Sequence, residues 1–201
     1  GSYEGTVIYK GKETHYSSVK DSEKEGLAII HQELALSPYL SIYENMFLGH
    51  MKTCCGIINW DKYLIESQKY LDRVGLKEDP KTIVSKLGVG KQQLIEIARA
   101  LSKHVELLIF DEPTSSLNDE ESDKLLDLMR EINKEGVTCI MISHKLKEVL
   151  KIADTVTILR DGKTISSYDV KKDKLTQPMI VKDMVGRELG VTIDRHTAEI
   201  G

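Results

Sequence analysis

The sequence predicts an α/β protein built on a parallel sheet with helices on both faces. Three observations predict it. Residues 105–110 (VELLIF) and 137–142 (VTCIMI) are near-continuous apolar runs, the pattern of strands buried on both sides. Between them, roughly Asp119 to Lys134, lies an acidic-to-basic amphipathic helix, which gives the strand–helix alternation of a parallel unit. Polar residues close both runs, Asp111 and Glu112 after the first and Ser143 and His144 after the second. In open sheets of this kind chemistry gathers at the carboxyl ends of strands.

The other elements follow in chain order. YEGTVIYKGKE alternates and turns at Lys10-Gly11-Lys12, which predicts a hairpin remnant rather than a natural beginning; no initiator Met is present. Asp21 to Glu25 is a polar helical stretch that Gly26 ends, and Leu27-Ala28-Ile29-Ile30 is a short buried strand leading to His31-Gln32-Glu33. From Ser41 to about His104 the pattern is helical. Ser41 and Glu44 have capping-box spacing, and Asp61 suits the cap of a helix carrying Tyr63, Leu64, Tyr70 and Leu71. Gly75 and Pro80 break that run. Gly90 opens a further helix with Leu94, Ile97, Ala98 and Leu101 on one face. Residues 155–159 (TVTIL) form a third strand, Asp161-Gly162 a hairpin turn, and the stretch from Gly190 onward a linker.

Composition narrows the function. Lys+Arg 28 against Asp+Glu 32 gives a net charge of −4, a poor footprint for a dedicated nucleic-acid binder. No apolar run approaches the ~18 residues of a membrane span, and no signal peptide opens the chain. Cys54, Cys55 and Cys139 have neither a disulfide framework nor zinc spacing, so they read as reduced thiols.

LGVGKQQ, residues 87–93, raises the question of a phosphate cradle. Such a loop needs GxxxxGK[ST], whose amides surround phosphate while Lys and the hydroxyl serve phosphate and magnesium. Gly90-Lys91 has Ser85 at the first glycine position and Gln92 after the lysine. Gly162-Lys163-Thr164 has Thr157 there, and Gly11-Lys12 has Thr6, with Glu13 following. None passes. Asp111-Glu112, in contrast, has the form of a Walker B pair. A strand-end Asp holds magnesium, usually through water, and a neighbouring carboxylate orients or deprotonates an attacking water.

With these motifs in hand, the chain resembles the ATP-binding-cassette (ABC) ATPases. FDEPTSSLN resembles their Walker B and D-loop, and LGVGKQQLIEIARAL their signature motif and its helix. IIHQE resembles the Q-loop, and MISHK the H-loop. The four motifs stand in family order over about residues 1–189. HQELALSPYLSIYENMFLG, IINWDK and LRDGKTI followed by MVGREL resemble the first cassette of the monosaccharide-import ATPases, the xylose and multiple-sugar importers in particular. In that group glycine often replaces the signature serine, as Gly88 does here.

The resemblance implies a P-loop NTPase (ABC ATPase) fold: a partial parallel sheet flanked by helices, with an inserted α-helical subdomain. It divides the chain into a core remnant ending in the Q-loop (1–38), a helical subdomain with the signature (39–104), a core segment with Walker B, D-loop and H-loop (105–189) and a linker toward a second cassette (190–201). It implies an internal piece of a longer protein, with the Walker A region elsewhere, a chain inactive alone, and apolar sheet surface left bare.

Roles also follow from the resemblance. Two cassettes close head to tail, so Gly88, Val89, Gly90, Lys91 and Gln92 are assigned to ATP held by a partner cassette. Asp111 is assigned to Mg²⁺ through water, and Glu112 to the attacking water as general base. His144 is assigned to the γ-phosphate, and Gln32 to Mg²⁺ or the attacking water. Ser116 and Asn118 lie in the D-loop, where many members have Asp in place of Asn118. Pro38, Tyr39, Leu40, Tyr43 and Phe47 either meet a membrane permease or, for Tyr43 and Phe47, pack inside the helical subdomain. Implied partners are a second cassette, permease subunits and, indirectly, a sugar-binding protein, at the cytoplasmic face of the membrane and with no nucleic acid. A competing expectation is a nonhydrolytic module that binds a partner cassette or permease.

Overall fold

The computed structural model describes residues 5–49, 51, 53–54 and 57–186. Tyr3, Cys55, the last three residues of MVGREL and the expected linker lie outside them. The chain divides into two compact units, 1–143 and 144–201.

The first unit opens with β1 (Val7–Tyr9) and β2 (Lys12–Thr14), an antiparallel pair. Lys10 and Gly11, both with positive φ (51° and 73°), form the turn, the two-residue geometry that matches strand twist. Helix α1 (Val19–Lys24) begins at Ser18, whose capping box with Asp21 satisfies free amides. Gly26, at φ 81°, then turns the chain into β3 (Leu27–Ile30). A side chain there would press on Glu106, 3.2 Å from the position of a Cβ.

The helical stretch is more broken than its periodicity predicts. Helix α2 (Ile42–Phe47) has the Ser41–Glu44 capping box. A small antiparallel pair, β4 (Thr53–Cys54) and β5 (Ile57–Ile58), interrupts the run. Helix α3 (Trp60–Arg73) is capped by Asn59, whose side chain accepts from the Lys62 amide at 3.1 Å. The predicted cap, Asp61, lies instead in its first turn, because Asn59 already supplies the acceptor two residues earlier. A 3₁₀ turn (Val84–Lys86) leads into α4 (Val89–Leu101), with Gly88 rather than Gly90 at its boundary. Leu94 is only half-buried, whereas Gln93, Ile95, Glu96, Ile97 and Ala98 are buried. The helix is therefore enclosed on most sides rather than along one stripe.

The sheet consists of β3, β6 (Leu107–Asp111) and β7 (Thr138–Ile142), in the order β3-β6-β7 and all parallel. Helix α5 (Asp119–Lys134) is the crossover from β6 to β7. One face of the sheet is packed: Ile30, Leu108 and Phe110 are 3%, 0% and 0% exposed. The alternate row departs from the cover on both faces that the continuous runs predict and agrees with the bare apolar sheet surface that the resemblance implies. Ile29, Ile109 and Ile140 are paired in register across the three strands, and Ile29, Ile140 and Ile142 are 51%, 46% and 52% exposed. Alternation along a strand puts these rows on opposite faces, so the continuous apolar pattern outruns the cover that the described residues supply.

The second unit holds α6 (Leu146–Ile152), β8 (Thr155–Arg160), β9 (Lys163–Asp169) and α7 (Gln177–Val185). Strands β8 and β9 pair antiparallel across Asp161-Gly162, at φ 52° and 73°. The predicted turn is present, but the third apolar run forms this hairpin instead of extending the parallel sheet. A two-residue turn brings its two flanking strands together directly. Ile158, Leu175 and Ile180 form the unit's core. Asp183 accepts from Ser166 Oγ at 2.5 Å and from the Tyr168 hydroxyl at 2.8 Å, tying α7 to the hairpin.

Candidate functional site

The parallel register brings the carboxyl ends of three strands side by side. Ile30 of β3 pairs with Phe110 of β6, and Asp111 pairs with Ile142 of β7. Gln32 thus emerges, exposed, on the edge beside Asp111 and Glu112, which are both half-buried. Glu112 has φ 45°, a left-handed conformation costly for a side chain with a Cβ and concentrated at functional sites. Backbone hydrogen bonds help hold it there. Its amide donates to the Ile142 carbonyl at 2.9 Å, and its own carbonyl accepts from Ser115 at 3.2 Å. Buried Pro113 and Thr114 follow, and Pro113 also disfavours the right-handed helical alternative for the residue before it.

The second cluster is the amino end of α4. Gly88 is its N-cap at φ −66°, ψ 160°, with no side-chain cap. A Cβ at Gly88 would meet nothing within 4 Å, so the space before the helix is open. The first-turn N–H groups of a helix lack intrahelical partners, and its dipole favours an anion there. Val89 is 45% exposed. Lys91 Nζ pairs with Glu78 at 2.6 Å. Gln92 donates its side-chain amide to the Leu87 carbonyl at 2.8 Å, so that side chain braces the turn from behind.

Helix α5 joins this cluster. Asn118 accepts from the Glu121 amide at 2.9 Å, and Glu121 returns a carboxylate to the Asn118 amide at 3.3 Å. The same carboxylate faces Gly90, 2.7 Å from where a Cβ would stand. Asn118 is thereby linked through Glu121 to the first turn of α4, and Ser116 is exposed. Glycine at position 90 is what lets Glu121 approach so closely.

Among the described residues, no group of three or more His, Cys, Asp or Glu converges as a metal cage. Mg²⁺ is commonly held by one or two carboxylates plus substrate phosphates and water, which suits the strand-end position of Asp111. His144 is exposed and opens the second unit, and the other site residues lie in the first. Of the residues following Gln32, Tyr39 is 85% exposed, whereas Phe47 is buried, its ring 4.8 Å from that of Tyr63. Tyr43 meets Trp60 edge to face at 6.0 Å.

Sequence reasoning missed Glu96. This carboxylate sits inside α4 at 6% exposure, and Oε1 accepts from the Ala35 amide at 2.5 Å. Arg99 donates to the Ala35 carbonyl at 3.2 Å. Burial raises the Glu96 carboxyl above its ordinary range, while the Ala35 amide, Arg99 and His31 act in the opposite direction. The available signal was a charged residue inside the otherwise enclosed run LIEIA, where an unpaired charge is costly.

Known proteins resemble the chain closely. Residues 2–115 match the family model described as ABC transporter. The L-arabinose transport ATP-binding protein of Geobacillus stearothermophilus is 52% identical over 100% of this chain and 39% of its own length. A xylose import ATP-binding protein of Moorella thermoacetica is 49% identical over 94% of this chain and 37% of its own. The chain thus spans about two-fifths of these relatives. Among solved structures, cbiO1 from Clostridium perfringens, described as part of an ABC transporter complex, superposes with a TM-score of 0.71 at 25% identity, covering 85% of this chain and 68% of that one. An ATP-binding cassette of an ABC transporter in its ADP conformation gives 0.74 at 21% identity, covering 92% and 78%. These neighbours have the ABC ATPase form of the P-loop NTPase fold, and the matched family model extends over more than half of the chain: it belongs to the ABC transporter family.

Proposed function

We propose that the chain is part of the first nucleotide-binding cassette of a monosaccharide importer that couples ATP hydrolysis to sugar uptake. The observation that carries this reading is the juxtaposition of an uncapped glycine-led helix terminus with the Asn118–Glu121 turn, in a chain 52% identical to an arabinose-transport ATP-binding protein. In this reading residues 39–104 are the helical subdomain, flanked by core segments 1–38 and 105–189.

The amides of the first turn of α4 bind the terminal phosphate of ATP held by a facing cassette. Asp111 would hold Mg²⁺ here, and the ion, when bound, would supply positive charge to offset that of the phosphates. Glu112 Oε orients the attacking water and accepts its proton; its backbone is already fixed by Ile142 and Ser115. Gln32, on the neighbouring strand end, contacts the same water or ion. His144 contributes a hydrogen bond where charge grows on the γ-phosphate. Tyr39 supplies exposed apolar surface to a membrane subunit, at the cytoplasmic side. No helix among the described residues is long and apolar enough to cross a membrane.

The 201 residues contain no GxxxxGK[ST], so a polypeptide of these residues alone turns over no ATP above background. A chimera tests the assignments: these residues replace the matching segment of the arabinose-transport relative. Glu112→Gln in that chimera lowers kcat by about 10²–10³ and leaves KM within about threefold, the signature of an interaction made in the transition state. A chimera whose turnover ignores Glu112→Gln contradicts the assignment.

A further inference from the structure

Two side chains of α4 grip one residue of the loop that follows Gln32. Glu96 Oε1 takes the Ala35 amide at 2.5 Å, and Arg99 Nη1 gives a bond to the Ala35 carbonyl at 3.2 Å. These bonds span 61 and 64 residues of sequence. Glu96 is 6% exposed, and its other oxygen, also buried, has no hydrogen-bond partner among the described residues. Burial raises the Glu96 carboxyl above its ordinary range, and the Ala35 amide, then Arg99 on its own helix and His31 on the loop side, act against that rise. Desolvated charge-assisted bonds are strong and strongly directional.

The ends of this arrangement are the functional clusters. Three residues before Ala35 is Gln32. At the amino end of the same helix is Gly88, and the Gln92 amide closes the first turn onto the Gly88 carbonyl at 3.1 Å. Helix α4 is enclosed along most of its length, so it moves as a rod rather than bending. A displacement of the Gln32 loop therefore pulls on the helix at Glu96 and Arg99 and arrives at Gly88–Gln92.

We propose that Glu96, assisted by Arg99, is a positioning residue that locks the loop after Gln32 to α4, so that the Gln32 side chain and the phosphate-facing turn at 88–92 move as one piece. The contact itself is a property of this chain; its use in an ATP cycle rests on the functional reading above.

Amide hydrogen exchange on the nucleotide-free chain tests the lock. In Glu96→Ala, exchange at Ala35 accelerates about tenfold or more, and exchange at Gln92 accelerates with it, while Leu108 and Phe110 in β6 keep their wild-type rates. Glu96→Gln retains a carbonyl acceptor and holds both sites within about threefold of wild type. A buried residue with a merely stabilising role would change all these amides together, or Ala35 alone; either pattern overturns the proposal. If Glu96→Ala does not fold, Arg99→Ala removes the outer bond from a partly exposed position and must accelerate Ala35 and Gln92 together, by at least about threefold. No change at either site overturns the proposal. The functional arm is separate. Where the wild-type chain associates with an intact cassette in ATP, Glu96→Ala weakens that association about tenfold and Glu96→Gln does not; equal association of all three overturns the transmission. A wild-type chain with no ATP-dependent association refutes the functional reading instead, and the exchange data still decide the lock.

Discussion

Replacing Gly88 by serine tests the geometry of the α4 terminus and its assignment together. Gly88 adopts φ −66°, ψ 160°, a conformation open to any residue, and a Cβ there would meet no atom within 4 Å. The substitution is therefore free of strain. Serine at an N-cap accepts from an N2 or N3 amide, here Gly90 or Lys91, and gains a few tenths of a kcal/mol over glycine. Losing glycine's freedom in the unfolded chain adds about 0.4–1 kcal/mol. The sum, about 0.5–1.5 kcal/mol, corresponds to a rise in Tm of about 1–6 °C for a protein of this size. Thermal unfolding followed by circular dichroism reads it directly. The hydroxyl also restores a phosphate donor, so ATP-dependent association with a facing cassette tightens. A Tm that falls by more than about 1 °C would mean that the position is crowded or not an N-cap, and the reasoning fails.

Other consequences follow from the same geometry. Gly90→Ala pushes the Glu121 carboxylate from its place beside α4. Alanine's higher helix propensity offsets the loosened capping box, so unfolding free energy stays within about 1 kcal/mol of wild type, while ATP-dependent association falls about tenfold as the D-loop shifts. Equal loss in both measurements refutes that split. Burial pushes the Cys139 thiol from 9.0 up to about 11. Only the thiolate reacts, so alkylation at pH 8 proceeds about a hundredfold more slowly than for a free thiol. The folded state also keeps its proton longer than the unfolded one, so stability is full below pH 9 and declines as pH rises toward 11. Cys139→Ala removes that decline. The open row of Ile29, Ile140 and Ile142 predicts binding of a hydrophobic dye by the folded chain. Ile140→Lys lowers that binding with little change in Tm, and a chain that binds no dye refutes the exposure.

The fold was legible wherever the signal was local. The acidic-to-basic amphipathic pattern located α5 at Asp119–Lys134, the bounds the structure shows. Asp161-Gly162 identified its hairpin for the same reason. The partner chosen by each strand was less legible, because an apolar run states that it is to be buried without saying by what. Residues 155–159 went into a hairpin, and Ile29, Ile140 and Ile142 remain about half exposed. At the strand end, the apolar run located Asp111 and Glu112, whereas the helix boundary was placed at Gly90, two residues past the N-cap Gly88. The Glu121–Gly90 approach and the Glu96–Ala35 bond join residues 31 and 61 positions apart. No periodicity encodes such contacts; only the approach of Glu121 to Gly90 and of the loop after Gln32 to α4 creates them.

The central claim is that the glycine-led end of α4 completes an ATP site on another cassette. Sedimentation of this chain with an intact sugar-import cassette, with and without ATP and Mg²⁺, measures it most directly. The account predicts a one-to-one complex that forms with ATP, disperses without it and tightens with Gly88→Ser. Association of equal strength in both conditions, or none in either, would contradict it.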